Sequence, residues 1–149
     1  MKDLDIIIFE AVTNDAAIVQ AVGNRVKSTA FEVPPTEADN TPLPYVIVSD
    51  DGFQNQSGTK DVIWESCEDQ VQATIEVAAK SPNEVKRLTR LCRKAVCQHI
   101  EYLLSQGEDV PLLNSLNSDG IAWDWTKPCY FTHLMYNCTI NTEDYEQEE

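Results

Sequence analysis

The segment Val71-Gln72-Ala73-Thr74-Ile75-Glu76-Val77-Ala78-Ala79, followed almost at once by Ser81-Pro82-Asn83-Glu84, decides the architecture. Val71, Ala73, Ile75, Val77 and Ala79 alternate with Gln72, Thr74, Glu76 and Ala78. A period of two predicts a strand with one face buried and one wetted. Ser81 then caps a helix, Pro82 takes its first position, and Glu84 stands where a capping box needs it. Val85, Leu88, Cys92, Ala95 with Val96, His99 and Leu103 follow at steps of three and four, the spacing of one buried helix stripe. Gly107 stops the helix.

Upstream, Asp3 can cap a helix over residues 3–12, with Ile6, Phe9 and Thr13 on one face and Ile7 and Glu10 alongside. Asn14 can cap a second, Asp15 to Val22, stopped by Gly23, with a short extended piece at Arg25-Val26. Residues 28–44 carry Pro34, Pro35, Pro42 and Pro44 and read as a long loop. Tyr45-Val46-Ile47-Val48 reads as a strand. Residues 50–60, rich in turn formers, read as a second loop or a hairpin arm. The strand signal over 61–79 opens with Val62-Ile63-Trp64, a possible strand of its own.

Downstream, residues 108–119 read as a loop with an apolar patch at Val110 to Leu113. Ile121 to Trp125 and Tyr130 to Ile140 read as two strands joined near Lys127-Pro128. Residues 141–149 form an acidic tail expected to fray. The expectation is one α+β domain over residues 1–149. An antiparallel sheet of about four strands packs against an N-terminal helical pair and one long central helix.

The chain of 149 residues is 42% hydrophobic and 24% charged, enough apolar content for a packed core. Eleven Lys and Arg stand against 25 Asp and Glu, a net charge of −14. Such a field repels phosphate and disfavours tight nucleic-acid binding. No apolar run reaches membrane-spanning length and no secretory leader is evident. Cys67, Cys92, Cys97, Cys129 and Cys138, odd in number and irregular in spacing, read as reduced thiols rather than a disulfide framework.

Chemical constellations are weak. The five glycines form no phosphate-binding loop. Cys92, Cys97 and His99 have metal-ligand chemistry, but on a helix positions five apart diverge by about 140°. On a strand, Cys129 and His133 share a face while Cys138 takes the other. Cys129 with His133 could form a nucleophile and base, but nothing marks an oxyanion hole or an orienting acid. The acidic clusters at Asp50-Asp51 and Asp119 to Asp124 lack EF-hand spacing. No catalytic, cofactor or metal residue is therefore assigned. Lys86, Arg87, Arg90, Arg93 and Lys94 hold five of the 11 basic residues. A solvated helix face is the plain reading, and a contact for an acidic patch on another copy is the functional one. With the aromatic Phe53 and Trp64 they are the candidate subunit-interface residues.

The helical pair ending at Gly23-Asn24-Arg25-Val26, the Pro-rich loop, Leu43-Pro44-Tyr45-Val46-Ile47-Val48, the strand to Ala79 and the helix opened by Ser81-Pro82-Asn83-Glu84 resemble the tail-completion (tail-terminator, head–tail joining) proteins of tailed bacteriophages. The resemblance covers roughly residues 3–140; the segment 105–129 is longer than that pattern, and the acidity is stronger. It implies a non-enzymatic virion structural protein of the tail and neck region, assembled in the host cytoplasm. It further implies a ring, usually of six copies, that caps the tail tube and meets the tube protein and the head–neck connector. DNA would pass through without specific binding, and the loops 28–43 and 50–62 would make contacts. A non-catalytic adaptor of the same class, or a small ligand-binding domain or enzyme, are the alternatives.

Overall fold

The computed structural model describes residues 2–28, 43–55, 68–126 and 128–141. The elements run α1 Leu4–Asn14, α2 Ala16–Val22, β1 Val26–Ser28, β2 Tyr45–Asn55, β3 Glu68–Ala79, α3 Pro82–Ser105, β4 Leu112–Ser118, β5 Ala122–Asp124 and β6 Cys129–Asn141. The strands form one sheet in the order β1-β2-β3-β6-β4, with β5 also paired to β6. This is the α+β class, with the expected helical pair and long central helix.

Two features of the sheet differ from expectation. It has six strands rather than about four, and it is mixed, because β1 runs parallel to β2 from Val26↔Val46 to Ser28↔Val48. The extra strands are short or polar. Leu112–Ser118 (LLNSLNS) falls where a loop was expected, and its side chains are mostly exposed. It is strand because the edge of β6 offers it hydrogen bonds, and an edge strand need not carry an alternating apolar face. Likewise β2 continues to Asn55 through the Asp50-Asp51-Gly52 turn formers, which the ladder absorbs as an irregularity between Asp50 and Phe53.

The centre of the sheet is the antiparallel ladder of β3 with β6, continuous from Glu68↔Asn141 to Ala79↔Tyr130. One face carries Ala73, Ile75, Val77, Leu134, Tyr136 and Cys138, and all three helices pack there. From α3 come Val85, Leu88, Cys92, Ala95 and Val96, the stripe read from the sequence. Ser81 Oγ accepts from Glu84 N at 3.2 Å, so the predicted cap is made. At the other end Gly107 N–H reaches Leu104 O and Glu108 N–H reaches Leu103 O, a Schellman closure with Gly107 at φ 77°. In α1 the core side is Leu4, Ile7, Ile8, Ala11 and Val12, while Ile6 is exposed, so the apolar face is rotated from the one expected. Asp15 rather than Asn14 caps α2, accepting from Ile18 N at 3.1 Å.

Leu88→Ala is expected to cost about 2–5 kcal/mol, because it opens a cavity between α3 and the β3–β6 ladder. Ser81→Ala is expected to cost about 1 kcal/mol. Urea unfolding midpoints check both; equal small effects would mean that α3 is not clamped on the sheet.

Candidate subunit interface

The five basic residues lie exposed on α3, as expected of a stripe opposite Val85, Leu88 and Cys92. Among the described residues none of them makes a salt bridge to an acidic side chain, although the chain is rich in carboxylates. The structure divides them. Lys86, Arg90 and Arg93 point along the flank of α3 that faces β4 and β5, and they line two grooves there. Arg87 and Lys94 line neither. Phe53 stands 71% exposed on β2. Trp64 lies outside the described residues, as do most of the loops 28–43 and 50–62.

The first groove, about 590 Å³, runs between Pro82, Lys86, Thr89 and Arg90 of α3 and Ile121, Ala122 and Trp123 of the β5 arm. Trp123 packs edge-on against Tyr130 at 4.8 Å and against Trp125 at 5.8 Å, and Trp125 is 86% exposed. The second, about 490 Å³, lies between Val96, Ile100 and Leu104 of α3 and Pro111, Leu112, Leu113 and Leu116 at β4. Leu104, Leu112 and Leu113 are exposed around it, an apolar concentration that the sequence shows only as a short patch. Tyr136 lines this groove, buried, with its hydroxyl unpartnered. Both grooves exist because one helix covers β3 and β6 and leaves the β4–β5 lane open.

Phe53 sits in a different setting. Asp3, Asp5, Asp50 and Asp69 gather with it around a recess of about 270 Å³ at the start of α1. Burial, together with repulsion from Asp50, raises the Asp5 carboxyl above its ordinary value. Thr74 Oγ1 and Gln72 Nε2 both donate to Asp51 nearby.

The opposite face of the sheet holds a polar chain that the sequence did not reveal. His133 Nδ1 meets Asp119 Oδ2 at 2.7 Å, and Nε2 meets Glu76 Oε1 at 3.1 Å. Tyr45 donates its hydroxyl to Glu76 Oε2 at 3.3 Å. Asp119 also accepts from the His133 backbone N–H at 2.9 Å. Only Glu76↔His133 is a ladder pair, a contact that requires knowing the β3–β6 register. Both ring nitrogens of His133 are thus engaged by carboxylates, so His133 is a pin between β3 and the β4–β5 turn rather than a base for Cys129. Burial works against protonation of His133, but the hydrogen bonds and charges of Asp119 and Glu76 outweigh it and raise the pKa. For Asp119, desolvation pushes upward, and the hydrogen bonds and charge from His133 prevail and lower it.

Two of the thiols are poor candidates for chemistry. Cys92 and Cys138 are buried, and burial pushes their pKa values up to about 12 and about 11. Such groups stay protonated near neutrality and are neither nucleophiles nor ready ligands. No group of three or more His, Cys, Asp or Glu among the described residues could hold a metal ion. No helix among them is long and apolar enough to cross a membrane.

No protein-family model matches the chain, and no curated protein matches it. A solved structure does. A chain from the virion of the native gene transfer agent (GTA) particle matches over 93% of this chain and 94% of its own, with a TM-score of 0.50 and 14% identity. At that identity the likeness is one of fold, and it spans the helical pair, the sheet and the long helix together.

The His133 pin sets a pH dependence. A raised His pKa gives stability that is fully present below the unfolded value of about 6.5 and is lost as pH rises through the folded value. The lowered Asp119 value gives stability present above 3.8 and lost as pH falls through it. His133→Gln is therefore expected to lower the urea midpoint most between about pH 4 and 6.5, with the deficit shrinking at alkaline pH and in high salt. A deficit independent of pH would show that the charge of His133 contributes nothing.

Proposed function

We propose that this chain is a virion structural protein of the tail-completion type. It acts without catalysis, as a ring of about six copies that caps the tail tube and joins it to the head–neck connector. The observation that carries the reading is the end-to-end fold likeness to a chain of the GTA virion. The sequence resemblance to phage tail-completion proteins points the same way independently. A net charge of −14 suits a ring whose lumen lets DNA slide without adhering.

The unpaired cations on α3 support a subunit contact. In a chain this acidic, Lys86, Arg90 and Arg93 have carboxylates on every other copy as partners. A head-to-tail contact between unlike surfaces closes into a ring when the rotation per subunit divides the circle.

Sedimentation across a concentration series, with negative-stain imaging, tests the reading. The expected result is a closed species near six times the 16.8 kDa protomer. Lys86→Glu combined with Arg90→Glu is expected to weaken assembly by about tenfold or more at low salt, and less at high salt. A strict monomer at every concentration, in the presence of tail tubes as well as alone, would overturn the ring.

A further inference from the structure

Cross-strand rows run the width of the sheet. Phe53 pairs with Val71, Val71 with Cys138, and Cys138 with Leu113. One step along, Gln54 leads through Gln70 and Thr139 to Leu112. Further down, Ser49 leads through Thr74 and Met135 to Asn117. The segment Ser49–Gln54 and strand β4 therefore occupy the same rows at opposite edges of the sheet.

Both edges are open among the described residues. β1 pairs with β2 only at Val46–Val48, so no described strand covers the outer side of Ser49–Gln54, where the strand bulges between Asp50 and Phe53 and Gly52 N–H is held by Asp50 Oδ1. β4 pairs only with β6. Rows of uncovered N–H and C=O groups are templates for another strand. The polarity also fits. Each of the steps β2–β3, β3–β6 and β6–β4 is antiparallel, so β2 and β4 run in opposite directions. A second copy set beside the first, displaced across the sheet, presents its β2 antiparallel to β4.

The side chains match as well. Phe53 and Leu113 both project on the helix-bearing face, since they share a row with Val71 and the core residue Cys138. The groove of about 490 Å³ opens on that face beside Leu113. Phe53 carries Asp50 and Asp69 around it; the groove carries Arg93 and Glu101, with Lys86 and Arg90 further along the same flank of α3. Tyr136 supplies at the groove an unpartnered buried hydroxyl, a donor left over for an incoming carbonyl.

We propose that copies of this chain join through an intermolecular antiparallel sheet. Ser49–Gln54 of one copy lies along β4 of the next, and Phe53 seats in the groove between α3 and Leu113. The inference rests on the ring reading and names its contact. It makes every junction polar, with a knob at one edge and a groove at the other, which is the heterologous geometry that rings require.

Two exposed-site variants separate the halves of the junction. Phe53→Asp removes the knob and keeps the groove; Leu113→Asp does the reverse. Each alone is expected to stay folded by circular dichroism and to associate about 100-fold more weakly than the parent chain. Mixed, they are expected to form a one-to-one pair at twice the 16.8 kDa protomer mass and nothing larger, because one intact junction remains. Phe53→Cys under mild thiol oxidation by diamide should also cross-link to the native Cys97 of the neighbouring groove, and Cys97→Ser should abolish that link. Rings that persist in both single variants would overturn this contact while leaving the ring itself standing. Folded variants that fail to pair when mixed overturn it also, and a parent chain that never associates overturns contact and ring together.

Discussion

Every other contact in this fold leans on the register between β3 and β6. The two strands are paired over all of β3 and from Tyr130 to Asn141 of β6, and they form the floor on which α3 lies. The register places Ile75 beside Leu134 and Val77 beside Thr132 on the helix side, and Glu76 beside His133 on the other. A slip of one residue would turn Ile75 and Val77 away from Leu88 and Cys92 and drive Glu76 into the apolar layer. The cost of burying that carboxylate makes the register nearly unique.

That register also explains why the molecule has an open side. α3 is anchored by Val85, Leu88, Cys92 and Val96 over the central ladder, so it cannot also cover β4 and β5. Those strands share the far edge of β6, β5 at Cys129–Phe131 and β4 at Leu134–Thr139. Where one gives way to the other, the chain turns at Asp119 and Gly120, and the His133 pin sits at that turn. A polar latch is a reasonable device there, because it ties the turn between two short strand pairings to the central ladder. The outcome is an edge held in place from the back, with two grooves left on the front.

How much of this was legible in the sequence follows from which signals are local. The strand over Val71–Ala79 and the helix opened by Ser81 were readable because alternation, capping and the three-four spacing are written in consecutive residues. β4 was not readable: Leu112–Ser118 is mostly exposed and has no alternation, and only its partner β6 makes it a strand. β1 was read only as a short extended piece at Arg25-Val26; its parallel pairing was not legible, because three residues gain their place only from Val46, Ile47 and Val48. Of the interface candidates, the basic residues were legible as a stripe, but not the separation of Lys86, Arg90 and Arg93 from Arg87 and Lys94. That depends on where the β4–β5 lane lies beside the helix. Glu76, Asp119 and His133 lie far apart in sequence, and only the folded register brings them together.

The distribution of charge is the last constraint that connects fold to assembly. A protomer with a net charge of −14 repels its own copies at a distance, and the proposed contact between copies has to overcome that repulsion. Apolar burial alone could drive association, but it would not select which edge meets which. Five of the 11 cations share one face of α3, and carboxylates gather around Phe53 at the opposite edge, so the two edges differ in charge and that difference biases the selection. Like edges repel, since acidic meets acidic or basic meets basic, and only unlike edges attract. A surface arranged in this way disfavours two-fold dimers, which bring identical patches together, and favours the head-to-tail order from which closed rings are built.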